Sequence, residues 1–192
     1  MALSHLGVSQ EVADIETENS QEAIALRRTK TTALEMTLMS APWPFATAEA
    51  DLTLVGEDPT DEWGYNYIYP PDCLSFRKIK SGHTTDVRSV RIPFRIVHGT
   101  NATEIYTNME DAVGEYTVNV TNTNRMPVDF KLALSYMWAA LSAAKLTGGD
   151  PYKLKNDMFS LANQTINKAK ARMLNEQQDD VEPDTEYLTS RN

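Results

Sequence analysis

Two prolines bracket a tryptophan in Ala41-Pro42-Trp43-Pro44-Phe45-Ala46, and no other stretch restricts the path of this chain so strongly. Each proline fixes its own φ near about −65° and pushes the residue before it out of the helical region. A helix arriving at Ala41 must therefore stop, and Trp43 must be extended. The constrained block continues to Leu74 through Trp63-Gly64-Tyr65-Asn66-Tyr67-Ile68-Tyr69-Pro70-Pro71-Asp72-Cys73-Leu74. Upstream the apolar residues recur at helical spacing; downstream they alternate. The block reads as a rigid exit from helix into β structure. Trp43, Phe45, Trp63 and Tyr65 are its candidate helix-to-β anchors.

Upstream, Leu3 and Leu6 predict a short helix over residues 1–8, ended by Gly7. Asn19-Ser20-Gln21-Glu22 offers a cap and then an acid in the first turn, both favourable where backbone N–H groups lack partners. Ala23, Leu26, Ala33, Leu34 and Leu38 continue that helix toward Ser40. Downstream, Ala50, Leu52 and Leu54 alternate with Asp51 and Thr53. Tyr65, Tyr67 and Tyr69 fall on one strand face, because successive side chains point to opposite sides. Val90, Ile92, Phe94 and Ile96, alternating with Arg91, Pro93 and Arg95, give the clearest strand, and Pro93 assigns it to a sheet edge. Residues 103–107 and 115–121 are further strands, with a helical turn over 108–112 between them. Strands that do not alternate with helices predict an antiparallel sheet.

From Asp129 to Lys145 the sequence is apolar on nearly all sides, with Phe130, Leu132, Leu134, Met137, Trp138 and Leu141, and Leu146 follows; such a helix is buried on more than one side. Thr147-Gly148-Gly149-Asp150-Pro151 then reads as a helix stop, a turn, and a cap with proline at the first helical position. The next helix carries Leu154, Met158, Leu161, Ala162, Thr165, Ala169 and Met173 in one stripe and runs to about Gln178. At about 1.5 Å per residue its roughly 28 residues reach ~40 Å, longer than a small core, so part of it is expected to pack on a partner. Beyond Asp179 the few apolar residues predict an extended tail. The fold class expected is α+β. Residues 1–46 and 123–178 form a helical bundle, 47–122 an inserted antiparallel β domain, and 179–192 the tail.

The net charge of −9 is unevenly spread. Residues 1–25 hold five acids and no base, 47–72 seven acids and no base, and 179–192 five acids and one arginine. Residues 73–107 hold six bases and two acids. This balance argues against tight DNA binding, which favours a basic surface. The acids either keep exposed segments soluble, or acidic and basic faces pair between copies or repel a passing polyanion. No run of about 18 apolar residues predicts a membrane span. No secretory leader is expected, and the Asn-x-Thr triplets at Asn101, Asn119 and Asn163 are read as chance.

His5, His83 and His98 are not within motif spacing of one another or of the lone Cys73, so no metal or other cofactor is implied. His-Glu-x-x-His, a Walker-type glycine loop and Gly-x-Ser-x-Gly are all absent. Cys73 reads as a structural thiol. Glu57, Asp58, Asp61 and Glu62 beside Trp63 and Tyr65 are the one constellation with catalytic possibilities, since glycan hydrolysis uses two carboxylates and aromatics stack on sugars. Glu57-Asp58-Pro59-Thr60-Asp61 is also turn-rich, where acids solvate a loop. The Tyr65, Tyr67 and Tyr69 stripe reads as sheet core or inter-subunit packing rather than a ligand platform. No enzymatic activity is expected; the alternative is a carbohydrate-binding or cell-wall-degrading module.

Taken in order, these segments resemble the head–tail adaptor (connector) proteins of tailed bacteriophages, and within them the tail tubular protein A-like group. The likeness rests on Trp43-Pro44-Phe45-Ala46, the block 63–74, and Arg91-Ile92-Pro93-Phe94-Arg95-Ile96. It continues through Ile105-Tyr106-Thr107-Asn108-Met109-Glu110-Asp111-Ala112, the strand from Tyr116 to Thr121, the apolar helix and the Gly148-Gly149-Asp150-Pro151 turn. It spans roughly residues 1–178. The resemblance implies a virion protein of the tail neck, made in the host cytoplasm. It implies a homo-oligomeric ring, usually of twelve copies, between the capsid portal protein and the tail nozzle protein. DNA would pass through the lumen without tight binding. C-terminal segments of such proteins reach onto the portal. Tyr187, Leu188 and Arg191, an apolar pair and a base in an acidic tail, are the portal-docking candidates here.

Overall fold

A computed structural model describes residues 1–82, 91–100, 102–148 and 150–176. The described residues form a mixed α+β structure with four α-helices and two antiparallel sheets. The helices are α1 (Ala2–His5), α2 (Gln21–Met39), α3 (Val128–Leu146) and α4 (Pro151–Glu176). The strands are β1 (Thr47–Asp51), β2 (Leu54–Thr60), β3 (Trp63–Ile68), β4 (Cys73–Ile79), β5 (Phe94–His98), β6 (Thr103–Thr107) and β7 (Val113–Val118).

Helix α2 begins where the cap predicts: the Ala23 N–H donates to Ser20 Oγ at 3.3 Å, and Glu22 sits in the first turn. Its final turn closes at Ser40, ahead of Pro42, and a single 3₁₀ turn, Pro44–Ala46, leads into β1. Helix α1 ends before Gly7, whose φ of +69° is a left-handed value that glycine takes without a Cβ clash. At α4 the Tyr152 and Lys153 N–H groups both donate to Asp150 Oδ1 at 3.1 Å, so the predicted cap ahead of Pro151 is formed.

Helix α3 packs against α1, α2 and α4. Its buried positions are mostly small: Ala133, Ser135, Ala139, Ala140, Ser142 and Ala143, beside Phe130 and Met137. Leu132, Leu134, Trp138 and Leu141 are half-buried around them. Small side chains allow the helix backbones to approach closely, and the large ones fill the flanks. The α4 stripe is corrected in the same sense. Met158, Ala162, Ile166 and Ala169 are buried, whereas Leu161 is exposed and Thr165 half-buried. Contact follows the alanines, and Leu161 falls to the side of that line.

The expected single strand through 50–54 is two strands in two sheets. Strands β1, β7 and β4 form a three-stranded sheet in that order, and β2, β3, β6 and β5 a four-stranded one. The chain changes sheets at Leu52 and Thr53. The Leu52 N–H donates to the Ala112 carbonyl at 2.9 Å, and the Thr53 carbonyl accepts from the Ile68 N–H at 2.9 Å. The strand expected over 90–96 begins only at Phe94, after Pro93 has removed a ladder donor; its edge position is as expected. Val90 lies outside the described residues. In place of a helical turn over 108–112 the chain makes a tight turn, with Asp111 at φ +49°. Strand β6 occupies the expected 103–107, and β7 starts two residues early at Val113.

The sheets share a core of Leu52, Tyr67, Phe76, Ile79, Ile105, Ala112 and Tyr116. The Phe76 and Phe94 rings meet edge to face across it, 5.0 Å between centroids. Strands β4 and β7 also touch α2.

Candidate functional site

The block 41–74 is distributed over two apolar clusters. Trp43 is 2% exposed, and its Nε1–H donates to the Thr37 carbonyl at 2.8 Å. That bond is a direct product of the helix exit. Thr37 lies in the last turn of α2; its carbonyl accepts from the Ser40 N–H and hydroxyl, and the extended Trp43 folds its indole back onto the same oxygen. The indole meets Phe130 of α3 edge-on at 5.0 Å, and Phe45 meets Phe130 at 4.9 Å. The cluster around them takes in Leu38 of α2, Ile166 and Ala169 of α4, Val120, and the half-buried Leu74 and Val118 of the three-stranded sheet. Trp43 and Phe45 thus touch residues from helices and strands together.

Trp63 and Tyr65 are elsewhere. Both lie in β3 of the four-stranded sheet, and Tyr65 packs in the inter-sheet cluster beside Tyr67. Tyr67 is 2% exposed and its hydroxyl donates to the Met109 carbonyl at 2.9 Å. Tyr69 follows the strand and flanks Phe76. Burial, then the neighbouring Cys73 thiol, push the Tyr69 phenol up to about 12. The tyrosine stripe therefore belongs to the core between the sheets.

A residue that the sequence reading passed over joins the two regions. Arg77 of β4 donates from Nη2 to the Ala41 carbonyl at 2.6 Å and from Nε to Thr117 Oγ1 at 2.7 Å. One guanidinium fork thus ties the helix exit to β4 and β7. The signal available was a lone arginine in a strand two residues after Ser75, which is weak. Lys80 pairs with Glu49 at 2.6 Å and Lys78 with Glu115 at 3.4 Å. Three bases of the 73–107 segment are thus engaged within the three-stranded sheet.

The acidic lobe has a different character. Glu57 and Asp58 stand exposed on β2, and Asp61 and Glu62 on the turn after it. The expected loop is therefore largely strand, broken by a register shift between Glu57 and Thr60 and by Asp58 at φ +47°. None of the four carboxylates has an ion-pair partner among the described residues. With Pro59, Thr60, Trp63, Gly64 and Asn108 most of them line an open hollow of about 410 Å³. Asn108 closes its back: its Oδ1 accepts from the Gly64 N–H at 2.7 Å. The Trp63 indole N–H is buried without a partner among the described residues.

Cys73 is half-buried, and burial raises its thiol above the ordinary value, which keeps it protonated near neutrality. His5 packs on the Tyr136 ring with its Nε2 3.0 Å from Ser135 Oγ, and His98 Nδ1 is 3.1 Å from Thr103 Oγ1. His83 lies outside the described residues. Among those described, no three His, Cys, Asp or Glu side chains are grouped to hold a metal ion, and no helix is long and apolar enough to cross a membrane. Tyr187, Leu188 and Arg191 lie outside the described residues. No protein-family model matches the chain, and no curated protein matches its sequence.

Proposed function

We propose that this chain is a structural connector of a bacteriophage virion. It forms an adaptor ring between the capsid portal and the tail nozzle and lets DNA pass through its lumen. In this reading the helices are a bundle that carries the β part as an insertion between α2 and α3. The observation that carries the reading is the joint at Trp43. The motif with the strongest resemblance is a buried clamp of Trp43, Phe45 and Phe130, with Arg77 bonded to the same exit, and not the wall of a pocket. A part that must transmit contacts between rings needs its two halves fixed to each other, and this clamp does that. The exposed acids of β2 suit a surface that DNA or anionic partners pass without adhering.

The polar tail is the portal-docking element in this proposal, through Tyr187, Leu188 and Arg191. Deleting residues 180–192 is expected to leave the melting temperature unchanged and to abolish co-sedimentation with the portal protein. Unimpaired co-sedimentation would remove the tail from the account.

One observation favours a second reading, a glycan-binding module: the hollow at 58–64 combines a tryptophan N–H and carboxylates that have no partner among the described residues. It requires saturable binding of cell-wall glycan fragments that Trp63→Ala removes. Absence of binding by the unaltered chain, with ring formation on the portal, decides for the connector.

A further inference from the structure

The four-stranded sheet ends in β2 on one side and β5 on the other, and among the described residues neither outer edge is paired. The two edges differ. On β2, Leu54 and Val55 are 47% and 49% exposed at the start of the strand, and the exposed Glu57 and Asp58 follow. On β5, Arg95 is exposed near the start, without an ion pair or hydrogen bond among the described residues, and Ile96 and Val97 follow. Unpaired strand edges are templates for another chain.

We propose that the β2 edge of one copy pairs antiparallel with the β5 edge of the next, so that copies associate head to tail through a continuous sheet. Strand parity supports this. Every pairing in β2-β3-β6-β5 is antiparallel, so β2 and β5 run in opposite directions. A neighbour in the same orientation therefore presents its β2 antiparallel to this copy's β5. Four strands are the repeat, and like-oriented copies are what a ring needs.

Charge supports the same pairing and disfavours its rivals. With the strand centres aligned, Ile96 stands opposite Glu57, and Arg95 opposite Asp58. Arg95 shares a sheet row with Tyr106, Asn66 and Gly56; the register shift after Glu57 and the positive φ of Asp58 end the alternation there, so the charge match is between the edges, Glu57 and Asp58 exposed on one and Arg95 on the other. The same alignment brings Val97 opposite Gly56 and His98 opposite Val55. Two-fold pairing of β2 with β2 about its centre would oppose Glu57 with Glu57, and β5 with β5 would set Arg95 opposite Val97, with no acid to meet it. Pro59 has no N–H to give, which confines the new ladder to residues 54–58. A heterologous contact of this kind either closes into a ring or grows, whereas a two-fold contact stops at a dimer.

The inference rests on the ring-forming reading, and its test separates the two. Full-length chain carrying Asp58→Cys and Arg95→Cys in a Cys73→Ser background is oxidised at high protein concentration. Within one copy the two edges are three strand spacings apart, about 14 Å, too far for a disulfide. The expected product is a ladder of dimer, trimer and larger species. Monomer alone, or dimer alone, overturns the proposal. As a second arm that leaves Asp58 and its positive φ untouched, Arg95→Glu is expected to abolish self-association and ring formation on the portal while keeping the unaltered melting temperature. Rings formed as well by Arg95→Glu as by the parent chain overturn the edge pairing and leave the connector reading standing. No ring from the parent chain on the portal, with the cysteine ladder present, overturns the connector reading and leaves the edge pairing.

Discussion

Trp43 shows how one side chain converts a broken helix into a fixed joint. The prolines force the exit, the Thr37 carbonyl offers an acceptor, and Phe130 supplies the wall. Trp43→Ala removes a fully buried aromatic and its hydrogen bond, so a loss of about 3–5 kcal/mol is expected in urea unfolding. Trp43→Phe keeps the packing and removes the indole's hydrogen bond from the Thr37 carbonyl, which still accepts from the Ser40 N–H and hydroxyl, so a cost of no more than about 1 kcal/mol is expected. Equal losses for the two variants would mean that packing at this site is unimportant. His5 gives a pH signature. Burial holds its imidazole below the ordinary value, so the unfolded chain takes up a proton at a pH where the folded chain does not. Its contribution to stability is therefore whole above about pH 6.5 and declines as pH falls below it. The melting temperature of the parent chain should drop more between pH 7 and pH 5 than that of His5→Gln. Parallel curves would show that His5 is not coupled to folding. Of these residues, Trp43 and Phe45 were legible because proline and aromatic side chains constrain locally. Arg77 was not, because its two acceptors lie 36 and 40 positions away in the chain.

At the scale of elements, helix limits followed from local chemistry: the Ser20 and Asp150 caps, Gly7 and Pro42 all act within a few residues. Strands were harder. Alternation of Ala50, Leu52 and Leu54 is consistent with one strand, yet the ladder partners change from β7 to β3 between Asp51 and Leu54. Period alone carries no information about which sheet a residue joins. Helix faces misled in another way, because large apolar residues were weighted over the alanines that make the closest contacts. Gly114 illustrates the tightness of the inter-sheet core. A Cβ there would stand 2.7 Å from Phe76 Cε2 and 2.9 Å from Leu52 Cδ2. Gly114→Ala must displace both side chains, and a loss of about 1–3 kcal/mol is expected in denaturant unfolding. A neutral result would show that β1 and β4 can shift apart at this point without penalty.

For the whole molecule, the division of charge acquires a structural meaning. Lys78 of β4 and Lys80 just after it pair with Glu115 of β7 and Glu49 of β1, and Arg77 is held by the Ala41 carbonyl and the Thr117 hydroxyl, so these bases are not the counterpart of the acidic lobe. Among the described residues of the four-stranded sheet, the β2 edge on one side and Arg95 on the other are without partners. Association between copies is therefore expected to weaken with rising salt, since exposed pairs are screened over about 8 Å at physiological ionic strength. The α+β character and the antiparallel pairing were legible from periodicity. The division into two sheets was not, nor was the side of each helix that stays open. Oligomeric order and partners are properties of surfaces, and sequence pattern records burial far better than it records association. The most direct test of the connector reading is the native mass of the chain mixed with its portal protein. The account predicts a ring of chains, twelve in the family it resembles, bound to the portal assembly. Free chain beside an unoccupied portal would contradict it.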